Sequence, residues 1–212
     1  MESLKISTLE DLYDKLWLES EEDKDKLRFA YNFSKVKFDW MYRKSWEPYF
    51  NHLVRTAEIL IDELLVKDVD VVALALIHDL KEDTNAKDDT IKMRYWEKML
   101  KKLRKLSKND ESLEGKDKAE KTKNYFERLK NCECKDVALV KLADRIDNLR
   151  TMKWIFKPEK IKRKIEETEE YLLPLAEKYS EEAYWIIRKE IMKLENYLKQ
   201  VEMVENLSSN KN

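Results

Sequence analysis

The sequence predicts an all-α protein, and three observations carry that prediction. Among 212 residues there are one glycine and three prolines, too few for the tight turns of a β architecture, which rely on their special backbone angles. Those same two residues are the ones that most disfavour helix interiors. Lysine, glutamate, leucine and aspartate are abundant, and apolar residues recur three and four apart in several segments. A chain of this length, 42% hydrophobic, is expected to form one domain with a substantial core.

The elements follow in order. Ser7-Thr8-Leu9-Glu10 has capping-box spacing and starts a first helix at Ser7. The charge run Glu19 to Lys26 separates it from a second helix, about Asp25 to Met41. Arg43 to Pro48 reads as a loop, with Pro48 suited to the first turn of the next helix. That helix runs to about Val66 and turns Leu53, Ala57, Leu60, Ile61, Leu64 and Leu65 inward. Asp68 caps a helix from Val69 to about Glu82. Its stretch Val71 to Ile77 is apolar on every side, which places it centrally, and a buried strand is the competing reading. Helices of about Thr90 to Leu106, Lys118 to Leu129 and Lys135 to Trp154 come next; the charged loop Lys108 to Lys118 holds Gly115. Pro158 opens a helix toward Tyr171, and Ser180 caps the last, whose stripe is Tyr184, Ile187, Ile191, Leu194 and Leu198. Residues 208–212 read as a flexible tail, leaving 1–207 as one domain.

Charge and cysteine content narrow the function classes. Forty-three basic and 44 acidic residues nearly cancel, to a net charge of -1, so there is no broad basic field for nucleic acid and no acidic tail. The basic run Lys98 to Lys108 is expected to be a solvated helix face. The N-terminus lacks the apolar core of a signal peptide, and no stretch approaches the roughly 18 apolar residues of a membrane span. Cys132 and Cys134 form neither a disulfide framework nor a four-ligand zinc pattern. They read as ordinary thiols of a reducing cytoplasm. Neither nucleic acid nor membrane is an expected partner; the aromatic-rich ends, with Trp17, Tyr184 and Trp185, are candidates to cover a homodimer face.

The chemistry concentrates in a few positions. The only histidines are His52 and His78, and Asp79 follows His78 at the end of the apolar helix. A carboxylate there is costly without a partner, and Asp144 poses the same problem within Val140-Lys141-Leu142-Ala143-Asp144. Two imidazoles and two carboxylates converging from three helices would make a mixed nitrogen and oxygen metal site, open to Mn²⁺, Fe²⁺ or Zn²⁺. The bland alternative has His52 bordering the core and Asp79 capping a helix end. Helical spacing sets Glu82 beside His78 and Asp83 beside Asp79, where further carboxylates can orient a metal-bound water; otherwise they are a polar helix end. Asn148 and Thr151 continue the line beyond Asp144, suited to a sugar or base, or else simply exposed.

Three blocks then carry a resemblance: Arg43-Lys44-Ser45-Trp46-Glu47-Pro48-Tyr49 with His52; Ile77-His78-Asp79-Leu80-Lys81-Glu82-Asp83-Thr84; and Val140 through Asp144-Arg145-Ile146-Asp147-Asn148-Leu149-Arg150-Thr151. They resemble the motifs of the RelA/SpoT-type guanosine tetraphosphate hydrolase domain of the HD superfamily, the third block being the most specific. A fainter similarity extends through Glu167 to Tyr171 and Pro174 to Ala176, so that the resemblance covers roughly Asp25 to Leu198. It implies an HD-domain helical bundle with an extra C-terminal helical region. It also implies removal of the 3′ pyrophosphate from ppGpp or pppGpp with a Mn²⁺ cofactor, held by His52, His78, Asp79 and Asp144. Glu82 and Asp83 match the catalytic acidic pair, Arg43, Lys44 and Ser45 the nucleotide-side loop, and Asn148 and Thr151 the positions that hold the nucleoside. Lys44, Lys141 and Arg145 are candidates for phosphate contacts or surface ion pairs.

Two positions depart from the pattern. Trp46 stands where the family usually has glycine, with an altered loop and a narrower pocket mouth as the expected consequence, and Asp147 replaces a usual histidine. Because the chain ends about where the synthetase domain of a long RelA/SpoT protein begins, a stand-alone alarmone hydrolase is expected. The rivals are an HD phosphohydrolase acting on ppApp, the NADPH 2′-phosphate or simple nucleotides, and a catalytically dead alarmone-binding module.

Overall fold

The structure is a computed structural model that describes residues 6–107, 117–131 and 133–209. Eleven α-helices make up the described residues in the order α1 Leu9–Leu16, α2 Glu21–Lys37, α3 Tyr49–Glu58, α4 Val69–Ile77, α5 Leu80–Asp83, α6 Asp88–Leu106, α7 Lys118–Lys130, α8 Lys135–Thr151, α9 Pro158–Glu167, α10 Leu173–Tyr179 and α11 Glu181–Ser209. Among those residues the extended pairing is a single bridge, Tyr42 with Pro48. No described helix is long and apolar enough to cross a membrane.

Capping chemistry sets the first boundaries, and it moves two expected starts. The capping box closes on Thr8, not Ser7: Asp11 N–H donates to Thr8 Oγ1 and Thr8 N–H to the Asp11 carboxylate. Ser7 instead donates through its N–H and hydroxyl to Glu58 at 2.9 and 2.5 Å, tying the chain start to α3. The second helix begins four residues earlier than expected because Ser20 caps it, and Glu21, Glu22 and Asp23 in its first turn suit the positive helix end.

The centre of the bundle is α4, and the strand alternative for its apolar stretch is overturned. Asp68 accepts from the N–H groups of Asp70 and Val71, and Val71 to Ile77 are then buried all round. Such a helix is stable only inside other helices; α2, α3 and α8 enclose it. The outer layer is α10 and α11 on α8, with Ile187, Ile191, Leu194 and Leu198 buried as the stripe requires. Two wide π-helical turns, Ile59–Glu63 and Thr168–Leu172, extend α3 and α9. The end expected to fray at Ser208 continues as helix to Ser209; residues 210–212, the loop with Gly115 and Cys132 lie outside the described residues.

The expected helix from Val69 to Glu82 is broken where the chemistry lies. α4 ends at Ile77, Asp79 adopts φ -94° and ψ 0°, and α5 starts at Leu80. A regular helix sets neighbouring side chains about 100° apart; the break at a sparsely populated backbone angle turns His78 and Asp79 toward one point. In the basic run of α6, Lys98, Lys101, Arg104 and Lys105 are exposed as expected, but Lys102 is buried against Asp136.

Candidate metal centre

Helices α3, α4 and α8 each bring side chains to one buried point. His52 Nε2, His78 Nε2 and an Asp144 oxygen lie within 4.8 Å of one another. His52 Nε2 is 3.3 Å and His78 Nε2 3.9 Å from Asp144 Oδ1. Asp79 Oδ2 completes the group, 3.1 Å from His78 Nε2 and 3.7 Å from His52 Nε2. The four expected ligands therefore converge.

The tautomers follow from the partners. His78 Nδ1 is 2.7 Å from the carbonyl of Ala75, which can only accept, so Nδ1 carries a proton and donates. His52 Nδ1 is 2.6 Å from Asp147 Oδ2, again an acceptor. Both rings thus turn Nε2 inward, the arrangement in which an outer hydrogen bond orients a metal-bound imidazole. His78 Nε2 is buried without an aligned hydrogen-bond partner, a costly state in a purely structural cluster. Two imidazole nitrogens and two carboxylates fit a divalent cation of the Mn²⁺, Fe²⁺ or Zn²⁺ type. Without one, charge is balanced by protons and by lysine. Burial opposes charge on His78, but the adjacent Asp79 carboxylate overcomes it and pushes the imidazole up to about 9. Burial would raise Asp144, yet the Lys141 ammonium, 2.6 Å from Oδ2, and the two histidines hold it well below the usual carboxylate range.

Acidic and basic side chains both surround the cluster. A cavity of about 220 Å³ opens over the cluster. Its lining includes Tyr49, Asp79 and Glu82 together with the basic groups Arg43, Lys141, Arg145, Lys160 and Lys164, and Asn148. An adjoining cavity of about 550 Å³ is lined by Lys44, Phe156, Lys157, Lys160 and Arg163, among others. Lys141 and Arg145 are buried and not surface ion pairs: Lys141 holds Asp144, and Arg145 donates to Glu167 and Thr168 at 2.6 and 3.2 Å.

The remaining expected residues divide. Glu82 lines the cavity, whereas Asp83 reaches it through Tyr49, whose hydroxyl is 2.7 Å from Asp79 Oδ2 and 2.6 Å from Asp83 Oδ2. Asn148 donates to Asp144 Oδ1 at 2.5 Å and accepts from Arg43 at 2.5 Å. Thr151 donates to the carbonyls of Asp147 and Asn148 along its own helix, Ser45 is exposed beside Glu47, and neither lines the cavity. Trp46 also lines neither cavity; its φ is 63°, a left-handed angle that glycine adopts without steric cost, and its N–H donates to the carbonyl of Arg43. Tyr49, Arg55 and Asp147 were not singled out for roles. The signal was present, since Tyr49, His52 and Arg55 are spaced by three and share a helix face.

Similarity to known proteins agrees with this geometry. The chain is 33% identical over 192 residues to the guanosine-3′,5′-bis(diphosphate) 3′-pyrophosphohydrolase of Aquifex aeolicus, covering 90% of this chain and 26% of that protein. It is 34% identical over 153 residues to the bifunctional (p)ppGpp synthase/hydrolase SpoT of Escherichia coli, covering 71% and 21%. The chain spans about a quarter of the length of these relatives. A solved structure of a metazoan SpoT ortholog, described as hydrolysing ppGpp with a role in starvation responses, shares the fold with a TM-score of 0.71 at 21% identity, over 83% of this chain and 97% of that one. Residues 30–179, well over half the chain and spanning all four converging ligands, match the HD domain, and the chain belongs to the HD-domain family.

Proposed function

We propose that the chain hydrolyses guanosine 3′,5′-bis(diphosphate), removing the 3′ pyrophosphate of ppGpp or pppGpp and leaving GDP or GTP. The convergence of His52, His78, Asp79 and Asp144 at a cavity that Glu82 and several basic side chains line supports this reading most. HD hydrolases depend on a divalent metal, and Mn²⁺ is the proposed ion. When bound, such a cation lowers the pKa of a water and offsets charge on phosphoryl oxygens.

The chain's own groups divide the remaining work. Glu82, on the cavity wall, accepts the proton of the attacking water. Tyr49 holds the Asp79 and Asp83 carboxylates together, so that Asp83 supports the acidic side from one position removed. Lys141, Arg145, Lys160 and Lys164, which line the same cavity, meet phosphate oxygens. The guanidinium of Arg43 and the amide of Asn148 meet the nucleoside, with Lys44 at the adjoining cavity. Thr151 and Ser45 act at one remove, through the α8 backbone and through Glu47.

A purified-protein panel of ppGpp, pppGpp, ppApp, NADPH and simple nucleotides, with Mn²⁺ and with chelator, tests the reading. Pyrophosphate release from ppGpp with Mn²⁺, abolished by chelator, is expected. Faster turnover of NADPH or a simple nucleotide would replace the substrate, and ppGpp binding without turnover would leave a binding module.

A further inference from the structure

Asp147 stands out among the groups with no assigned part in the reaction. It is one of the positions at which the chain departs from the RelA/SpoT pattern, which usually has histidine there, and its carboxylate is buried. Four donors reach its two oxygens. His52 Nδ1 lies 2.6 Å from Oδ2, Arg43 donates to Oδ2 at 2.9 Å, and Arg55 donates to Oδ1 at 2.6 Å and to Oδ2 at 3.1 Å. We propose that Asp147 is a positioning residue that fixes His52 for metal binding and, through the same carboxylate, sets Arg43 at the nucleotide side of the cavity.

The physical case is one of valence. A carboxylate accepts at about four lone-pair sites, and four bonds reach this one, three at Oδ2 and one at Oδ1. Because it only accepts, His52 must donate from Nδ1, which leaves the Nε2 lone pair aimed at Asp79 and Asp144. Arg43 is fixed by two bonds from adjacent residues of α8, to Asp147 and to Asn148 Oδ1. Arg55 is anchored separately on Glu47 by a pair of bonds at 2.8 and 2.9 Å, so it braces Asp147 from a fixed position of its own. An imidazole at position 147 could accept from His52 but would bring no negative charge to two guanidinium groups. The aspartate and its arginine neighbours act as a unit.

The inference rests on reading the four donors as a metal centre, and it is independent of which nucleotide is cleaved. Titrating the metal-stripped full chain with Mn²⁺, and separately with Zn²⁺, is the test. The unaltered chain is expected to bind one ion, and failure to bind would overturn the metal-centre reading itself. Asp147→Asn is expected to bind the ion about 10- to 100-fold more weakly, with KM for the nucleotide rising as Arg43 loses its anchor, and Asp147→Glu, which keeps the anion, is expected to recover part of both. An Asp147→Asn protein that is folded and binds the ion as tightly as the unaltered chain overturns the proposal. Nitrogen NMR of the unaltered, Zn²⁺-loaded protein needs no variant: a protonated Nδ1 and a metal-bound Nε2 on His52 are expected, and the reverse assignment contradicts it.

Discussion

Lys141 Nζ lies 2.6 Å from Asp144 Oδ2, and both side chains are buried. One turn of α8 thus supplies a proposed ligand together with its own counter-charge. The pairing holds Asp144 ionised beside a second carboxylate, Asp79; burial is the largest single influence on Lys141 and opposes its charge, but Asp144 together with Tyr125 and Glu82 more than offsets it. Breaking a buried pair leaves an uncompensated charge and costs about 3–5 kcal/mol. Lys141→Met is therefore expected to melt at a markedly lower temperature in chelator, and added Mn²⁺ is expected to restore much of the loss. Equal destabilisation with and without metal would separate the lysine from the metal centre.

The Tyr49 hydroxyl joins Asp79 to Asp83, with burial and both carboxylates holding the phenol far above its ordinary range. Tyr49→Phe keeps the ring stacked on Phe38 and removes only the link. A fall in kcat of about 10- to 100-fold is expected, the range for outer partners of a metal site, with the melting temperature little changed. Unaltered kcat would show that the link has no part in turnover.

Much of the fold and most of the site were legible because they rest on local rules. Helix periodicity located α4 and its burial, and the chemistry of two histidines and two aspartates on apolar helices predicted their meeting. The break at His78–Asp79 was hidden because no glycine or proline marks it; tertiary contacts impose it on a sequence that is helical by pattern. The charged network of α8 was misjudged for the opposite reason. Lys141 and Arg145 look like surface residues by type; Asp144 is a local partner for Lys141 one turn along α8, whereas Glu167 reaches Arg145 only through the fold.

Glu167 offers a pH test away from the metal ligands. Burial would raise its carboxyl, but Arg145 and Lys164 overcome this and lower it to about 2. A carboxyl lowered on folding stabilises the protein above its unfolded pKa near 4.5, and that contribution fades as pH falls toward 2. The lowering corresponds to about 3 kcal/mol at most. Urea unfolding of the protein and of Glu167→Gln should therefore differ at pH 7 and converge at low pH. A gap that persists or widens in acid would contradict this.

Among the described residues, three of the four non-glycine positions with left-handed backbones are tryptophans: Trp17 at φ 56°, Trp40 at 66° and Trp46 at 63°. Their side chains are 82%, 85% and 86% exposed, so packing does not offset a conformation that disfavours side chains by about 1–2 kcal/mol. Replacement of each by glycine is expected to raise stability by about 0.5–1 kcal/mol, after the added entropy of the unfolded chain. A shift of the urea midpoint downward would show that the indoles contribute contacts. The chain has six tryptophans and one glycine, and UGA is a codon read as tryptophan in some genetic codes and glycine in others. Peptide mass spectrometry of the protein from its source cells is expected to find glycine at these three positions; tryptophan at all three would refute this.

The most direct test of the metal centre is anomalous diffraction from crystals grown with Mn²⁺. One strong peak is expected between the Nε2 atoms of His52 and His78, with carboxylate oxygens of Asp79 and Asp144 in its coordination sphere, and the peak should vanish in Asp144→Ala. A peak at another place, or one bound by only some of these four side chains and indifferent to loss of Asp144, would contradict the account.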